Sequence, residues 1–150
     1  MNFSKIIKKL GTVLDAEIEN SGGLCGIEID GIPVILQDCG DLFLLRADLG
    51  VLPEENREML LTAILEANYL YQGTGGCTLA IDADTDHLCI QRYDFNERLN
   101  SPDDIALMIQ KFIYACKIWK SMLDDANELK SEDRMANNGN SMFNVVGMIP

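Results

Sequence analysis

A glycine-rich segment at residues 72–76, QGTGG, is the first part of the chain whose residue types could do chemistry. Glycine clusters beside helices often hold phosphate groups, but the required order is strand, loop, helix, because the free N–H groups of a helix start must face the anion. Here a helical pattern precedes the segment and an alternating strand pattern follows it, so the negative end of a helix dipole would face any ligand. We therefore interpret the glycines as a helix stop and a tight turn into a strand, and we predict no cofactor.

His87, the only histidine, could act with Cys89 as a nucleophile pair, because residues two apart on a strand lie on one face. The sequence offers no evident third group that would orient the histidine. A metal site that combines this histidine with Cys25, Cys77 or Cys89 lacks any recognised ligand spacing. The sequence therefore favours a solvated strand residue at position 87, and we predict no catalytic residue, no metal site and no enzyme.

Three acidic residues, Asp82, Asp84 and Asp86, have the spacing of the first half of a calcium-binding loop. In such a loop the sixth position is glycine and the twelfth is glutamate, but here these positions hold His87 and Tyr93. We therefore interpret the three acids as a solvated turn between two strands.

Composition and charge limit the classes of partner. The chain has 150 residues, of which 47% are hydrophobic, a composition that fits one globular domain. Its net charge of −12 argues against nucleic acid and anionic membranes, which both need a basic surface. No apolar run approaches the ~20 residues needed to cross a bilayer, and the N-terminus lacks the pattern of a signal peptide. The five cysteines form no CxxC pair, so we predict reduced thiols in a cytoplasmic protein without membrane insertion.

Hydrophobic periodicity predicts an α+β fold in the order helix, three strands, helix, two strands, helix. The first helix is predicted over residues 3–18, and Asp30-Gly31 marks a hairpin within the strands of residues 24–49. Pro53 opens the second helix, and Ser101-Pro102 with Asp104 caps the third. We divide the chain into a domain of residues 1–129 and a tail of residues 130–150, which is polar and then apolar.

The apolar residues exceed what three helices and a five-stranded sheet need. Residues 42–47 are apolar on both faces of their strand, and the second helix has an apolar stripe wider than one core contact requires. Excess apolar surface on a soluble protein tends to be a partner site. Two interpretations stay open: complete burial within the chain or a homodimer, and an additional groove for an extended peptide client.

The run LEANYLYQGTGGCTLAID at residues 65–82, with three strands before it and a hairpin return and a long helix after it, resembles the class I type III secretion chaperones of the CesT/Tir-chaperone family. The resemblance covers about residues 3–125. It implies a twisted antiparallel sheet packed with helices, and a homodimer whose interface comes largely from the second helix and the neighbouring strand. In this sequence the implied dimer residues are Leu60, Leu61, Ile64, Leu65, Asn68 and Tyr71.

The same resemblance implies a type III secretion chaperone that binds the N-terminal chaperone-binding segment of an effector in extended form. The client would stay soluble and export-competent, would fill apolar grooves, and would add a strand to a sheet edge, without ATP hydrolysis. Assigned by apolar stripe, the client-binding residues are Ile6, Ile7, Leu10, Val13, Val34, Leu36, Phe43 and Leu45. The alternative function is a family-like adaptor or regulatory module that binds a partner other than an effector.

The apolar end of the tail leads to a first testable prediction. We expect its apolar residues to dock on an apolar groove in place of a client; they are Met142, Phe143, Val145, Val146 and Ile149. Deleting residues 131–150 should therefore increase client affinity in a binding titration, because a competing segment is removed. Unchanged affinity, together with unprotected tail amides in hydrogen exchange, would contradict this prediction.

Overall fold

A computed structural model describes residues 2–128, so the tail and its predicted docking lie outside the described residues. The chain folds as helix α1 (Phe3–Leu14), strands β1 (Leu24–Ile29), β2 (Ile32–Cys39) and β3 (Leu42–Val51), helix α2 (Arg57–Asn68), strands β4 (Thr78–Asp82) and β5 (His87–Phe95), and helix α3 (Pro102–Glu128). This α+β order confirms the prediction. A tight turn at Tyr69–Tyr71 follows α2, and a single turn of 3-10 helix at Asn96–Arg98 follows β5.

Two helix boundaries differ from the sequence prediction, and both differences have a backbone cause. Helix α1 ends at Leu14 rather than at residue 18, because Asp15 takes a left-handed conformation with φ of 51°. Helix α2 begins at Arg57 rather than at Pro53, because Asn56 has φ of 59° and cannot continue a helix. Ser101 and Asp104 cap α3 as predicted: the Asp104 N–H donates to Ser101 Oγ over 3.1 Å, and the Ser101 N–H donates to Asp104 Oδ2 over 2.9 Å.

The five strands form one antiparallel sheet in the order β1-β2-β3-β5-β4. The β1–β2 hairpin turns at Asp30-Gly31, where both residues have positive φ, 52° and 78°, as a two-residue turn of type I′ requires. Because β2, β3 and β5 each have a strand on both sides, β1 and β4 are the two edges of the sheet.

Helices α1 and α3 pack on one face of the sheet and form the core. One row of that face crosses four strands in register, from Val34 through Ala47 and Ile90 to Leu79, and all four side chains are buried. On the opposite face, which we call the outer face, Leu44 is buried among its neighbours, but other large apolar side chains are exposed. These are Leu24, Ile35, Tyr93 and Phe95. No helix among the described residues is long and apolar enough to cross a membrane.

All five cysteines are free thiols in very different surroundings. Cys25, Cys77 and Cys116 are buried, whereas Cys39 is exposed. Burial raises the pKa of Cys77 to about 11 and that of Cys116 to about 12, so at neutral pH fewer than about one in a thousand of either is thiolate. The buried thiols therefore behave as small apolar core residues.

These environments predict a large spread of thiol reactivity. With a chromogenic disulfide reagent at pH 7.5, we expect Cys39 to react fast, and Cys77 and Cys116 to react only as the protein unfolds, because the reagent attacks exposed thiolate. The time course of absorbance measures both phases, and Cys39→Ser should remove the fast one. A fast phase that persists in this variant and maps to Cys77 or Cys116 would contradict the prediction.

Candidate protein-binding surfaces

The glycine-rich segment is held by hydrogen bonds from within the protein. The Gly73 N–H donates to the Ala67 carbonyl over 3.2 Å, and Trp119 Nε1 on α3 donates to the Gly73 carbonyl over 3.0 Å. Gly75 and Gly76 have φ of 61° and 84°, which lets the chain reverse into β4. The segment therefore stops α2 and leads into a strand, as the element order predicted.

The turn directly after α2 presents three large apolar side chains to solvent. Leu70 and Tyr71 take left-handed conformations, with φ of 52° and 56°, which cost roughly 1–3 kcal/mol each for residues that are not glycine. With Tyr69 they are between 55% and 69% exposed. The contacts of the following segment with α2 and α3 hold this turn in place. Sequence reasoning missed it, because leucine and tyrosine give no signal for positive φ.

Helix α2 has one buried face and one exposed apolar flank. Leu60 and Ile64, two of the six predicted dimer residues, belong to the core of the protomer. Leu65 is 71% exposed, and Leu61, four residues earlier, is half-buried. Leu61, Leu65, Tyr69, Leu70 and Tyr71 together form the surface that we call the α2 patch. The structure thus places only part of the predicted dimer set on a surface that another protein could contact.

Asn68, another predicted dimer residue, is half-buried and its side chain is occupied within the protomer. Asn68 Nδ2 donates to the Leu79 carbonyl, and the Leu79 N–H donates to Asn68 Oδ1, both over 2.9 Å. Its amide therefore binds the edge strand β4 and is not free to pair with a partner.

The residues predicted to bind a client lie mainly in the core of the protomer. Seven of them are at most 5% exposed in the protomer: Ile6, Ile7, Leu10, Val34, Leu36, Phe43 and Leu45. The apolar stripes used for the assignment belong to the single hydrophobic core that the helices and the sheet share. A side chain buried in this way cannot contact a client unless the core repacks. Val13 is the exception, because it is half-buried and lines a groove.

That groove lies between the end of α1, the β1–β2 turn and α3, and we call it the α1–α3 groove. Its volume is about 440 Å³, and its apolar lining includes Val13, Leu14, Ile29, Ile109 and Ile113. Lys117 and Asp30 also line it, and they form an ion pair of 2.6 Å between Nζ and Oδ2. The groove therefore offers apolar walls with a polar margin.

The edge of β1 next to this groove has unused backbone groups. In a hairpin closed by a two-residue turn, Ile29 and Ile32 form a hydrogen-bonded pair, so Ile27 and Cys25 also bond to β2. The backbone groups of Leu24, Gly26 and Glu28 then point away from the sheet. Leu24 exchanges hydrogen bonds with Ser21, but among residues 2–128 no hydrogen bond engages the outward groups of Gly26 or Glu28. Two successive outward positions of β1 are therefore open.

The acids and the histidine considered for catalysis have other contacts. Asp86 pairs with Arg57 over 2.6 Å, and Asp82 Oδ1 accepts from the Asp84 N–H over 3.0 Å within the turn. His87 Nδ1 lies 2.7 Å from Asp48 Oδ2 at the exposed end of β5.

The thiol of Cys89 has the wrong electrostatics for a nucleophile. Burial raises its pKa, and the carboxylates of Asp48 and Asp82 raise it further. Within the described part of the chain, no three His, Cys, Asp or Glu side chains are grouped to hold a metal ion. Burial and the two carboxylates therefore disfavour the thiolate that a cysteine nucleophile needs.

Comparisons with known proteins agree with this architecture. A chain in the structure of the ExoU–SpcU complex from the type III secretion system of Pseudomonas aeruginosa matches with a TM-score of 0.63 at 14% identity, over 82% of this chain and 98% of that one. A chain in the structure of the HopA1–SchA chaperone–effector complex matches with a TM-score of 0.59 at 17% identity, over 83% and 94%. A chain of the ExsC–ExsE complex gives 0.63 at 12% identity, over 82% and 97%. Curated proteins gave no match.

At such low sequence identities, the structural matches support the fold alone. The family is shown by the sequence. The pattern that describes the Tir chaperone protein (CesT) family matches residues 5–120, which is most of the chain. This match confirms the resemblance carried by residues 65–82. The chain therefore belongs to the Tir chaperone protein (CesT) family, a family of non-enzymatic type III secretion chaperones.

Proposed function

We propose that this chaperone binds the N-terminal segment of a secreted effector in extended form, with the client lying along the edge of β1 and reaching into the α1–α3 groove. The observation that carries this proposal is the open backbone of Gly26 and Glu28 on an edge strand beside an apolar groove. Main-chain pairing gives affinity for any extended segment, and the groove selects apolar side chains at alternate positions. The bound segment stays soluble and export-competent, because it has no fold that must be undone.

Binding of this kind needs both main-chain hydrogen bonds and burial of apolar side chains. Ordering an extended segment costs about 1–2 kcal/mol per residue in backbone entropy. Net gains of about 1 kcal/mol per hydrogen bond do not cover this cost, so burial of apolar side chains at ~25 cal/mol per Å² must supply the rest. A client therefore needs apolar anchors for the groove as well as a free backbone for β1.

The charges next to β1 favour a client that also carries basic residues. The linker between α1 and β1 exposes Asp15, Glu17 and Glu19, and Glu28 is exposed on β1 itself. Lys117 already neutralises Asp30 at the hairpin turn. Together with the net charge of −12, this surface attracts basic segments over a Debye length of about 8 Å at physiological salt.

We also propose that the chaperone is a homodimer that uses the α2 patch. A second copy is the partner that fits best, because an exposed apolar patch on a protein that acts alone invites nonspecific association. The side chains are provided by one helix flank and the turn after it, so a two-fold axis can bring the same patch together from both protomers.

A cytoplasmic location accords with the five free thiols.

Substitution at Gly26 tests the client site. Gly26→Pro removes the outward N–H and places a ring at the edge, where proline is tolerated in a strand. We expect at least about a tenfold loss of affinity for an effector, since one main-chain hydrogen bond of about 1 kcal/mol and close strand contact are lost. The measurement is calorimetric titration with the N-terminal half of the secreted protein whose gene neighbours the chaperone gene.

Gly26→Ala is the matched control for that experiment. It keeps the N–H, and its Cβ meets no atom within 4 Å, so affinity should stay within about twofold of the original. Equal affinities for the two variants would show that the client does not use this edge. A chaperone that binds no secreted protein at all would contradict the proposed function itself.

Substitution at Leu65 tests the proposed dimer. We expect Leu65→Asp to give a monomer in light scattering at micromolar concentration, because two carboxylates would face each other in a desolvated interface. Leu107→Asp on α3 is the control, because Leu107 is also exposed, at 54%, but lies outside the α2 patch. A Leu65→Asp variant that remains a dimer, or an unmodified protein that is a monomer, would contradict the prediction.

A further inference from the structure

The two edges of the sheet differ in how much of their backbone is available to another strand. On β4, Leu79 lies opposite Ile90 of β5, and its N–H and carbonyl are both bonded to the side-chain amide of Asn68. Both backbone groups of a residue point to the same side of an antiparallel strand. Those of Leu79 bond to Asn68 rather than to Ile90, so they lie on the side of β4 away from β5. Asn68 therefore takes the place that a residue of a sixth strand would occupy.

The positions on either side of Leu79 add to this difference. The next outward position toward the N-terminus is Cys77, whose N–H donates to the Thr74 carbonyl over 3.2 Å. Among residues 2–128, Ile81 at the far end of β4 is the one other outward position of this edge without a hydrogen bond, whereas β1 has two successive open positions at Gly26 and Glu28. An added strand needs several hydrogen bonds in sequence, so β4 is closed at its centre and β1 is not.

The chemistry of the asparagine side chain explains why it can close an edge. A primary amide carries one carbonyl acceptor and N–H donors in a single plane, as a peptide group does. Aspartate can accept from the Leu79 N–H but cannot donate to its carbonyl, and alanine can do neither. The two bonds of 2.9 Å are therefore specific to an amide at position 68.

We propose that Asn68 is a positioning residue that closes the β4 edge, so that an extended client strand adds to the sheet only at β1. This inference rests on the proposed function, because it assigns one of two sheet edges to the client. Closure of the β4 edge also leaves each protomer with one place for strand addition and protects the exposed side of β4 from pairing with other chains.

The test uses a synthetic strand, acetyl-(Val-Lys)₅-amide, as a probe that needs no knowledge of the effector. Its alternating apolar and basic residues suit a sheet edge on an acidic protein. Amide hydrogen exchange followed by NMR reports each edge separately. In the unmodified protein we expect the peptide to slow exchange at Gly26 and Glu28 and to leave Leu79 unchanged.

Two variants then open the β4 edge. In Asn68→Ala we expect the Leu79 amide to exchange at least tenfold faster without peptide, and the peptide to slow its exchange as well as that of Gly26 and Glu28. Asn68→Asp retains the acceptor for the Leu79 N–H, so free exchange at Leu79 should change less, while the edge still loses its donor. If Asn68→Ala does not fold, Asn68→Asp becomes the deciding variant. The measurement is then whether the peptide slows amide exchange at Ile81.

The possible outcomes separate this inference from the proposed function. Slowed exchange at Leu79 in the unmodified protein, or a peptide footprint that is unchanged in the variant, would overturn the role of Asn68. Absence of protection at Gly26 and Glu28 would overturn it too, since β1 would then not be open. The effector titration with the Gly26 variants is independent of these results, so effector binding can stand if the role of Asn68 fails.

Discussion

A single antiparallel sheet with one face covered by helices is the constraint on which the rest of this structure depends. Helices α1 and α3 bury one face, where a row of small and branched side chains crosses the central strands in register. Every sheet that is not closed into a barrel has two edges whose backbone groups need partners. In this protein the backbone of β4 is bonded to a side chain of the same chain, whereas β1 is available to another strand. The proposed function follows from that difference.

At one edge the chain supplies its own partner. Helix α2 places Asn68 against Leu79, and the segment that follows is anchored by the bond from Trp119 to Gly73. Helix α2 also exposes Leu65, and the turn after it exposes Tyr69, Leu70 and Tyr71. A strained turn persists only where its surroundings fix it, and the hydrogen bonds around Gly73 do so. Thus one segment closes an edge and presents the α2 patch.

At the other edge, next to an apolar groove, the described part of the chain supplies no partner for the outward backbone groups of Gly26 and Glu28. An unfolded client segment has free backbone groups and intermittent apolar side chains, and these are the two features that this edge can bind. Binding of this kind depends little on the exact sequence of the client, because main-chain groups are common to all residues. In the proposed function, the exposed acidic residues of the neighbouring linker add a preference for basic segments.

Much of the fold could be predicted from local sequence signals, because these act within a few residues. Asp30-Gly31 specified the hairpin, the Ser101–Asp104 pair specified the start of α3, and the order of helix and strand around residues 72–76 identified a helix stop. The sequence could not tell which of the predicted client-binding residues are buried in the protomer, because a periodic apolar stripe has the same appearance whether it faces a core or a groove. Of the predicted client-binding residues, Val13 alone lines the α1–α3 groove, whereas Leu36 and Phe43, for example, are core residues.

The sequence by itself determined the order of the elements, the family and the lack of a phosphate-binding loop, since each depends on residue types at short spacing. Only the tertiary structure decided which apolar faces are covered, which sheet edge is open and what Asn68 binds. Asn68 and Leu79 are 11 residues apart, and Trp119 and Gly73 are 46 apart. Such contacts form only when the whole chain packs, because periodicity shows that a face is apolar but not which element covers it.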